Sequence, residues 1–305
     1  MVIKMLNKRN ASGTLYGVGV GPGDPELMTL KSIRCIEQAD IIAIPTSKQN
    51  QINQDMESGE NQTAENDLKI DKPGTRVELI DVRSESIAWQ IAIQAVPQMQ
   101  NKETFVIFMP MTKDEEKLKV AHDQGAKTLE EYLRQGKKIA FLTLGDPTVY
   151  ATYMYLHHRI AKDGYQTELI SGIPSFCAAA AKCGISLGEQ QEQIHIIPAS
   201  YDVKQALRFP GTKIFMKAGK QMQMLLQEVR EYLIEENSQE EKIQRERNGP
   251  THSFPKSENN DIKNTYPHSI YFIENCGMEN EHIYTNLYEV PECIGYFAIL
   301  IIKEI

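Results

Sequence analysis

No stretch of about 18 consecutive apolar residues occurs in the 305 residues, so a membrane-spanning helix is not expected. Cysteine is scarce. The five present (Cys35, Cys177, Cys183, Cys276 and Cys293) are scattered, odd in number and never spaced C-x-x-C, which argues against a zinc or iron–sulfur site and suits a reducing cytoplasm. The opening MVIKMLNKRN lacks the apolar segment of a signal peptide, and a cytoplasmic location is expected. Positive charge is also short: 33 Lys and Arg face 41 Asp and Glu, a formal net charge of −8. Nucleic-acid backbones need a basic surface, so no nucleic-acid partner is expected, although a single basic cleft for an acidic small molecule remains open. What is present is ordinary for a globular chain, with 41% hydrophobic and 24% charged residues, and the length suits about two domains.

The apolar pattern predicts alternating strands and helices. Residues 14–20 (LYGVGVG) form a short apolar run entering glycines, a helical spacing follows over Glu26–Gln38, and DIIAIP (40–45) is a second buried strand. Further helices are expected over 85–96, 114–134 and 148–162, with strands at 104–108, 138–144 and 167–170. This is the signature of a parallel α/β sheet. After Ile170 the pattern changes to a small-residue helix over Phe176–Cys183 and short strands at 194–197, 213–216, 269–273 and 296–302. A boundary near 172 thus separates an N-terminal α/β domain (1–172) from a mixed α/β domain (173–305). The polar segments 47–75 and 235–266 carry almost no core-forming residues and are expected as surface insertions.

Four segments carry the chemistry. Gly17-Val-Gly19-Val-Gly21-Pro22-Gly23-Asp24-Pro25 leaves the first strand, where glycines allow tight turns or close backbone approach to a ligand. A dinucleotide site would need a helix directly after the glycines and an acid at the tip of the second strand. Here Pro22 and Pro25 interrupt the turn, the second strand ends Ile-Pro-Thr-Ser, and no Gly-Lys-Ser/Thr follows for a phosphate loop. The second segment, Thr143-Leu144-Gly145-Asp146-Pro147-Thr148-Val149-Tyr150, also stands where a strand enters a helix. Asp146 there is placed to cap a helix starting at Pro147, with Leu144 and Gly145 offering backbone groups to a ligand. The third is Ser171-Gly-Ile-Pro174-Ser175-Phe-Cys-Ala-Ala-Ala-Ala, and the fourth Ile214-Phe-Met216-Lys217-Ala-Gly-Lys220. The adjacent His157 and His158 cannot jointly hold a metal on one helix face, and His195 has no partner visible in the sequence.

In order and spacing these segments resemble the tetrapyrrole (corrin/porphyrin) methyltransferase family, over nearly the whole chain outside the two polar insertions. Within it, LYGVGVGPGDPEL (15–27), Pro110-Met111-Thr112, TLGDPTVYAT (143–152), Ile197-Pro-Ala, MKAGK (216–220) and Tyr296-Phe-Ala resemble the members acting at carbon-20 of precorrin-2 or cobalt-factor II. One departure lies in the third segment, where Ser171 stands at the family's usual Pro and Pro174 at its usual Ser.

The resemblance implies two α/β domains with the active site in the cleft between them, S-adenosyl-L-methionine as methyl donor, and a homodimer. It places cofactor contacts on Pro22, Leu144, Gly145, Asp146, Val149, Pro174, Ser175 and Met216. Lys217, Lys220 and Arg208 become candidates for the carboxylates of a tetrapyrrole substrate, and Tyr150, one helical turn past Asp146, for a substrate-facing role at the catalytic centre. No protein-bound metal is implied, and cobalt would enter only within the substrate. The implied reaction is methylation of carbon-20. The rivals are a sister enzyme acting at another ring position or on uroporphyrinogen III, a relative methylating RNA or a modified protein histidine, a non-catalytic tetrapyrrole or adenosyl-ligand carrier, and a nicotinamide oxidoreductase.

Overall fold

The computed structural model describes residues 13–47, 83–198, 200–248 and 268–304. The chain divides into two compact units, one ending at Pro174 and the other starting at Ser175.

In the first unit, strands β1 (Thr14–Gly19), β2 (Ile41–Thr46), β3 (Glu103–Phe108), β4 (Lys138–Thr143) and β5 (Gln166–Ile170) form one sheet in the order β3-β2-β4-β1-β5. Every pairing is parallel, which explains the near-continuous apolar runs: both faces are covered. Helices α1 (Leu30–Gln38) and α2 (Ile87–Ala95) cover one face, with Ile36, Trp89, Ile91 and Met99 packed on Val18, Ile42 and Leu142. Helices α3 (Glu115–Arg134) and α4 (Tyr153–Lys162) cover the other, where Leu129, Leu133, Tyr153 and Leu156 meet Leu15, Ile41, Phe105 and Phe141. The chain thus leaves the neighbouring strands β1 and β4 toward opposite faces. In an open parallel sheet this is the switch point, outside whose carboxyl ends ligands bind.

The second unit holds a mixed sheet in the order β6-β7-β10-β8-β9, formed by β6 (Ile194–Pro198), β7 (Thr212–Met216), β8 (His268–Glu274), β9 (His282–Tyr284) and β10 (Ala298–Glu304). Only β6 and β7 pair in parallel; the other pairs are antiparallel. Helices α5 (Ser175–Cys183), α6 (Val203–Leu207) and α7 (Met222–Asn248) complete the unit. Leu225, Leu226, Val229 and Leu233 of α7 pack on Phe215, Phe272 and Leu300.

Three expectations are corrected. The helix expected from Glu26 begins at Leu30, because Met28 is extended and the Thr29 hydroxyl caps the helix by accepting from the Ser32 N–H. The helix expected from Thr148 begins at Tyr153, after a turn in which Tyr150 has φ 48°. The last strand runs 298–304 rather than 296–302, in register with β8. The polar segment expected from 235 is helical as far as Asn248. Its Glu, Gln, Lys and Arg residues cannot build a core but are good helix formers, and Asn-Gly-Pro follows where the helix stops. The remainder of that segment and nearly all of 47–75 lie outside the described residues. Among the described residues no helix is long and apolar enough to cross a membrane.

Candidate active site at the strand tips

At the carboxyl edge of the first unit's sheet, the loops after β1, β4 and β5 lock together through backbone. Gly145 N–H donates to Gly21 O at 2.8 Å, and Gly21 N–H returns a bond to Gly145 O at 3.4 Å. Both glycines have positive φ (80° and 70°), a conformation that an L side chain resists. The loop after β5 fits against this bridge: a Cβ added at Gly172 would lie 2.1 Å from Gly145 O, and one added at Gly19 would lie 2.5 Å from Gly172 N. The glycines therefore serve as contact surfaces for each other's backbones.

The carboxylate of Asp146, almost fully buried, joins two of these loops. Oδ1 accepts from the Thr148 N–H at 2.8 Å and from the Thr148 hydroxyl at 2.5 Å, while Oδ2 accepts from the Gly172 N–H at 3.0 Å. This corrects the expectation that Asp146 caps a helix starting at Pro147; it makes a local turn and a cross-link instead. Asp24, in the other Gly-Asp-Pro tip, makes the same local turn, its Oδ1 accepting from Glu26 N–H at 2.8 Å. Thr29 and Ser32 add two more ties: Ser32 Oγ donates to Gly19 O at 2.8 Å, and Thr29 Oγ1 donates to Ser171 O at 3.3 Å.

Of the sequence-derived site residues, this edge brings together Pro22, Gly145, Asp146, Val149 and Pro174. Val149 N–H donates to Asp146 O at 3.2 Å, and Pro174 Cα lies 4.0 Å from where a Gly145 Cβ would stand. Leu144 sits half-buried on the same turn, packed against the α1–α2 core. Tyr150 is exposed in the strained turn, off the helix expected to carry it. In the second unit, Ser175 opens α5, and Met216 is the buried last residue of β7, followed directly by Lys217. Lys220 lies on a 3-10 turn at Gly219–Gln221. Arg208 is set apart: it ends α6 ahead of β7, so the whole strand, roughly 15 Å at its usual rise, separates it from Met216 and Lys217.

Gly172, Gly19, Thr29 and Ser32 were not singled out from the sequence as site residues. A glycine two residues past the end of β5 was the available signal for Gly172; the two hydroxyls carry no signal apart from the helix cap. His195 does have a partner, its Nε2 lying 3.0 Å from Pro210 O, and its ring packs on Phe209. Among the described residues no group of three or more His, Cys, Asp or Glu is placed to hold a metal ion.

The edge suits a phosphate-free nucleoside. The glycine turns are tight and already bonded to one another, buried Thr143 Oγ1 at the β4 tip makes no hydrogen bond among the described residues, and no lysine follows the glycines as a phosphate loop requires. The family model for tetrapyrrole (corrin/porphyrin) methylases matches residues 14–291. The chain belongs to the tetrapyrrole methylase family. It is a C-methyltransferase whose methyl donor is S-adenosylmethionine.

Among its relatives, the probable cobalt-precorrin-2 C(20)-methyltransferase of Methanocaldococcus jannaschii is 30% identical over 203 residues, covering 67% of this chain and 71% of that one. The precorrin-2 C(20)-methyltransferase of a Sinorhizobium species is 25% identical over 217 residues, covering 69% and 75%. The same two-sheet fold occurs in the uroporphyrin-III C-methyltransferase of Thermus thermophilus, solved in complex with S-adenosyl homocysteine, at TM-score 0.54 and 17% identity, covering 96% of this chain and 98% of that one.

Proposed function

We propose that this tetrapyrrole methylase transfers a methyl group to carbon-20 of precorrin-2 or its cobalt-containing form, in the route to cobalamin. The observation that carries the ring position is the pair of carbon-20 enzymes among the relatives, each aligned over about two thirds of both chains. S-adenosylmethionine supplies an activated methyl group on a sulfonium. The protein's own work is then to orient the acceptor carbon in line and to exclude water, and no strong base is required for the transfer itself.

In this reading Pro22, Leu144, Gly145, Asp146, Val149, Pro174, Ser175 and Met216 hold the cofactor. Gly145 and Leu144 act through backbone groups. Asp146 acts through the loop geometry that its carboxylate fixes, because that carboxylate is already occupied by Thr148 and Gly172. Tyr150 faces the substrate in this scheme, and lysine ammonium groups pair with ring carboxylates by charge-assisted hydrogen bonds, each contributing roughly 1.5–3 kcal/mol. Lys217 and Lys220 follow Met216 directly and are the candidates, whereas Arg208 is assigned to neither group. A cytoplasmic homodimer is the expected working form, to be checked by sedimentation velocity.

The deciding experiment offers precorrin-2, cobalt-factor II and uroporphyrinogen III separately with carbon-13-methyl-labelled cofactor, read by NMR. Label at carbon-20 is the expected result, and the preferred ring identifies the cobalt-containing or metal-free route. Label at another carbon would assign the enzyme to a sister step and overturn the carbon-20 reading.

A further inference from the structure

β7 carries a lysine at each end of its buried run, and the two are treated differently. Lys213, almost wholly buried, is paired: its Nζ lies 2.5 Å from Glu304 Oε1, whose second oxygen accepts the Gly211 N–H at 2.8 Å. Lys217, directly after the strand, has φ 60°, the left-handed region that favours glycine. Among the described residues its ammonium has no carboxylate partner; its neighbour is the ring of Tyr296, 6.0 Å from Nζ to the centroid. Desolvation holds its pKa below the ordinary lysine value. Tyr296 also backs the turn itself, since a Cβ added at Gly219 (φ 48°) would touch the Tyr296 ring at 3.8 Å.

A lysine here carries a backbone penalty that a glycine would avoid, and its exposed side chain holds the ammonium beside the Tyr296 ring with no carboxylate partner among the described residues. Strain of this kind persists where the surroundings enforce it and collects at functional sites. An arriving anion would pair with that ammonium, and the planar Tyr296 ring beside it restricts where the anion can sit. We propose that Lys217, positioned by Tyr296, is the substrate-specificity residue of this enzyme, gripping one peripheral carboxylate of the tetrapyrrole. This deepens the tetrapyrrole reading above and rests on it. The left-handed backbone at 217 is retained for the ammonium it presents, and Lys213 serves only the fold.

The test compares Lys217→Gly, Lys217→Arg and Tyr296→Leu in the full-length enzyme by three readouts: thermal midpoint, dissociation constant for S-adenosylhomocysteine, and KM against kcat for whichever ring the wild type methylates. Direct binding of uroporphyrin, an octacarboxylate, is measured beside coproporphyrin, a tetracarboxylate, by fluorescence quenching. Lys217→Gly is expected to keep or raise the thermal midpoint and to leave cofactor affinity unchanged. Its KM and its uroporphyrin dissociation constant should rise about ten- to hundredfold, the span of one charge-assisted hydrogen bond. Added salt should narrow that gap. Lys217→Arg should recover part of the affinity, and Tyr296→Leu should lose several-fold with the charge intact.

Unchanged KM and uroporphyrin affinity in Lys217→Gly would overturn the proposal while leaving the methylase reading standing. So would a joint loss of thermal stability and cofactor affinity, which marks a merely structural lysine. Failure of the wild type to bind or methylate any tetrapyrrole would instead remove the substrate reading, and this proposal with it.

Discussion

The tips of β4 and β7 both end a buried strand in a family motif with a positive-φ turn, but they are held by opposite means. Beyond β4, Gly145 is clamped by backbone bonds to Gly21, by the packed Gly172 and by the twice-used Asp146 carboxylate. Beyond β7, Ala218 of the turn is buried in the core, the Gln221 N–H donates to its carbonyl at 2.8 Å, and the Tyr296 ring flanks Lys217 and Gly219. The first tip is tied to two other loops by backbone bonds and a buried carboxylate. The second leaves the Lys217 ammonium without a carboxylate partner among the described residues.

Substitutions can break this contrast. The largest effect is expected for Gly172→Ala, whose Cβ would meet Gly145 O at 2.1 Å with backbone on both sides. A loss of about 3 kcal/mol is expected from such overpacking, measured by urea denaturation, with cofactor affinity falling in parallel. Asp146→Ala removes three accepted hydrogen bonds to a buried carboxylate and should cost about 2 kcal/mol, whereas Asp146→Asn, which keeps an acceptor, should cost less. A stability unchanged in Asp146→Ala would show that the loops lock through glycines alone. Gly219→Ala, at the other tip, meets only the Tyr296 ring at 3.8 Å. It should cost about 1 kcal/mol, from the left-handed conformation alone, and a value equal to that of Gly172→Ala would erase the contrast. Thr29→Ala removes the cap of α1 and should likewise cost about 1 kcal/mol.

The smallest effect concerns the paired lysine. Burial would push the Glu304 carboxyl up, but the Lys213 ammonium and the Gly211 N–H outweigh it and hold the pKa below the ordinary value. A depressed carboxylate pKa stabilises the fold above the unfolded value, near 4.3. That stability is lost as pH falls through the lower folded value. Denaturation midpoints followed from pH 6 to 3 should therefore fall more steeply for the wild type than for Glu304→Gln, by a modest margin because Glu304 is partly exposed.

The strands were the most legible part of the molecule, because parallel strands covered on both faces become unbroken apolar runs such as Ile41–Ile44 and Ile139–Leu142. Boundaries misled where local signals competed. Pro147 and Thr148 look like a helix start, but the Asp146 carboxylate takes the Thr148 N–H into a turn and delays the helix to Tyr153. The segment after 235 is polar and still helical as far as Asn248. Polarity reports that a stretch cannot be buried, whereas helix formation depends on propensity, which Glu-, Gln- and Arg-rich sequence supplies. The short strand β9 and helix α6 were missed because three and five residues carry too little periodicity.

The sequence by itself determined the family, the two sheets and the glycine-rich strand tips, since glycine motifs and apolar runs are local properties written residue by residue. Only the tertiary structure decided what Asp146 does, which lysine of β7 is paired, and that Lys217 sits in a glycine-type conformation. The partners involved are 26 residues apart for Asp146 and Gly172 and 91 apart for Lys213 and Glu304. Whether a polar group finds an acceptor or stays unpaired depends on which loops the closed fold brings within hydrogen-bond reach, and no spacing along the chain encodes that.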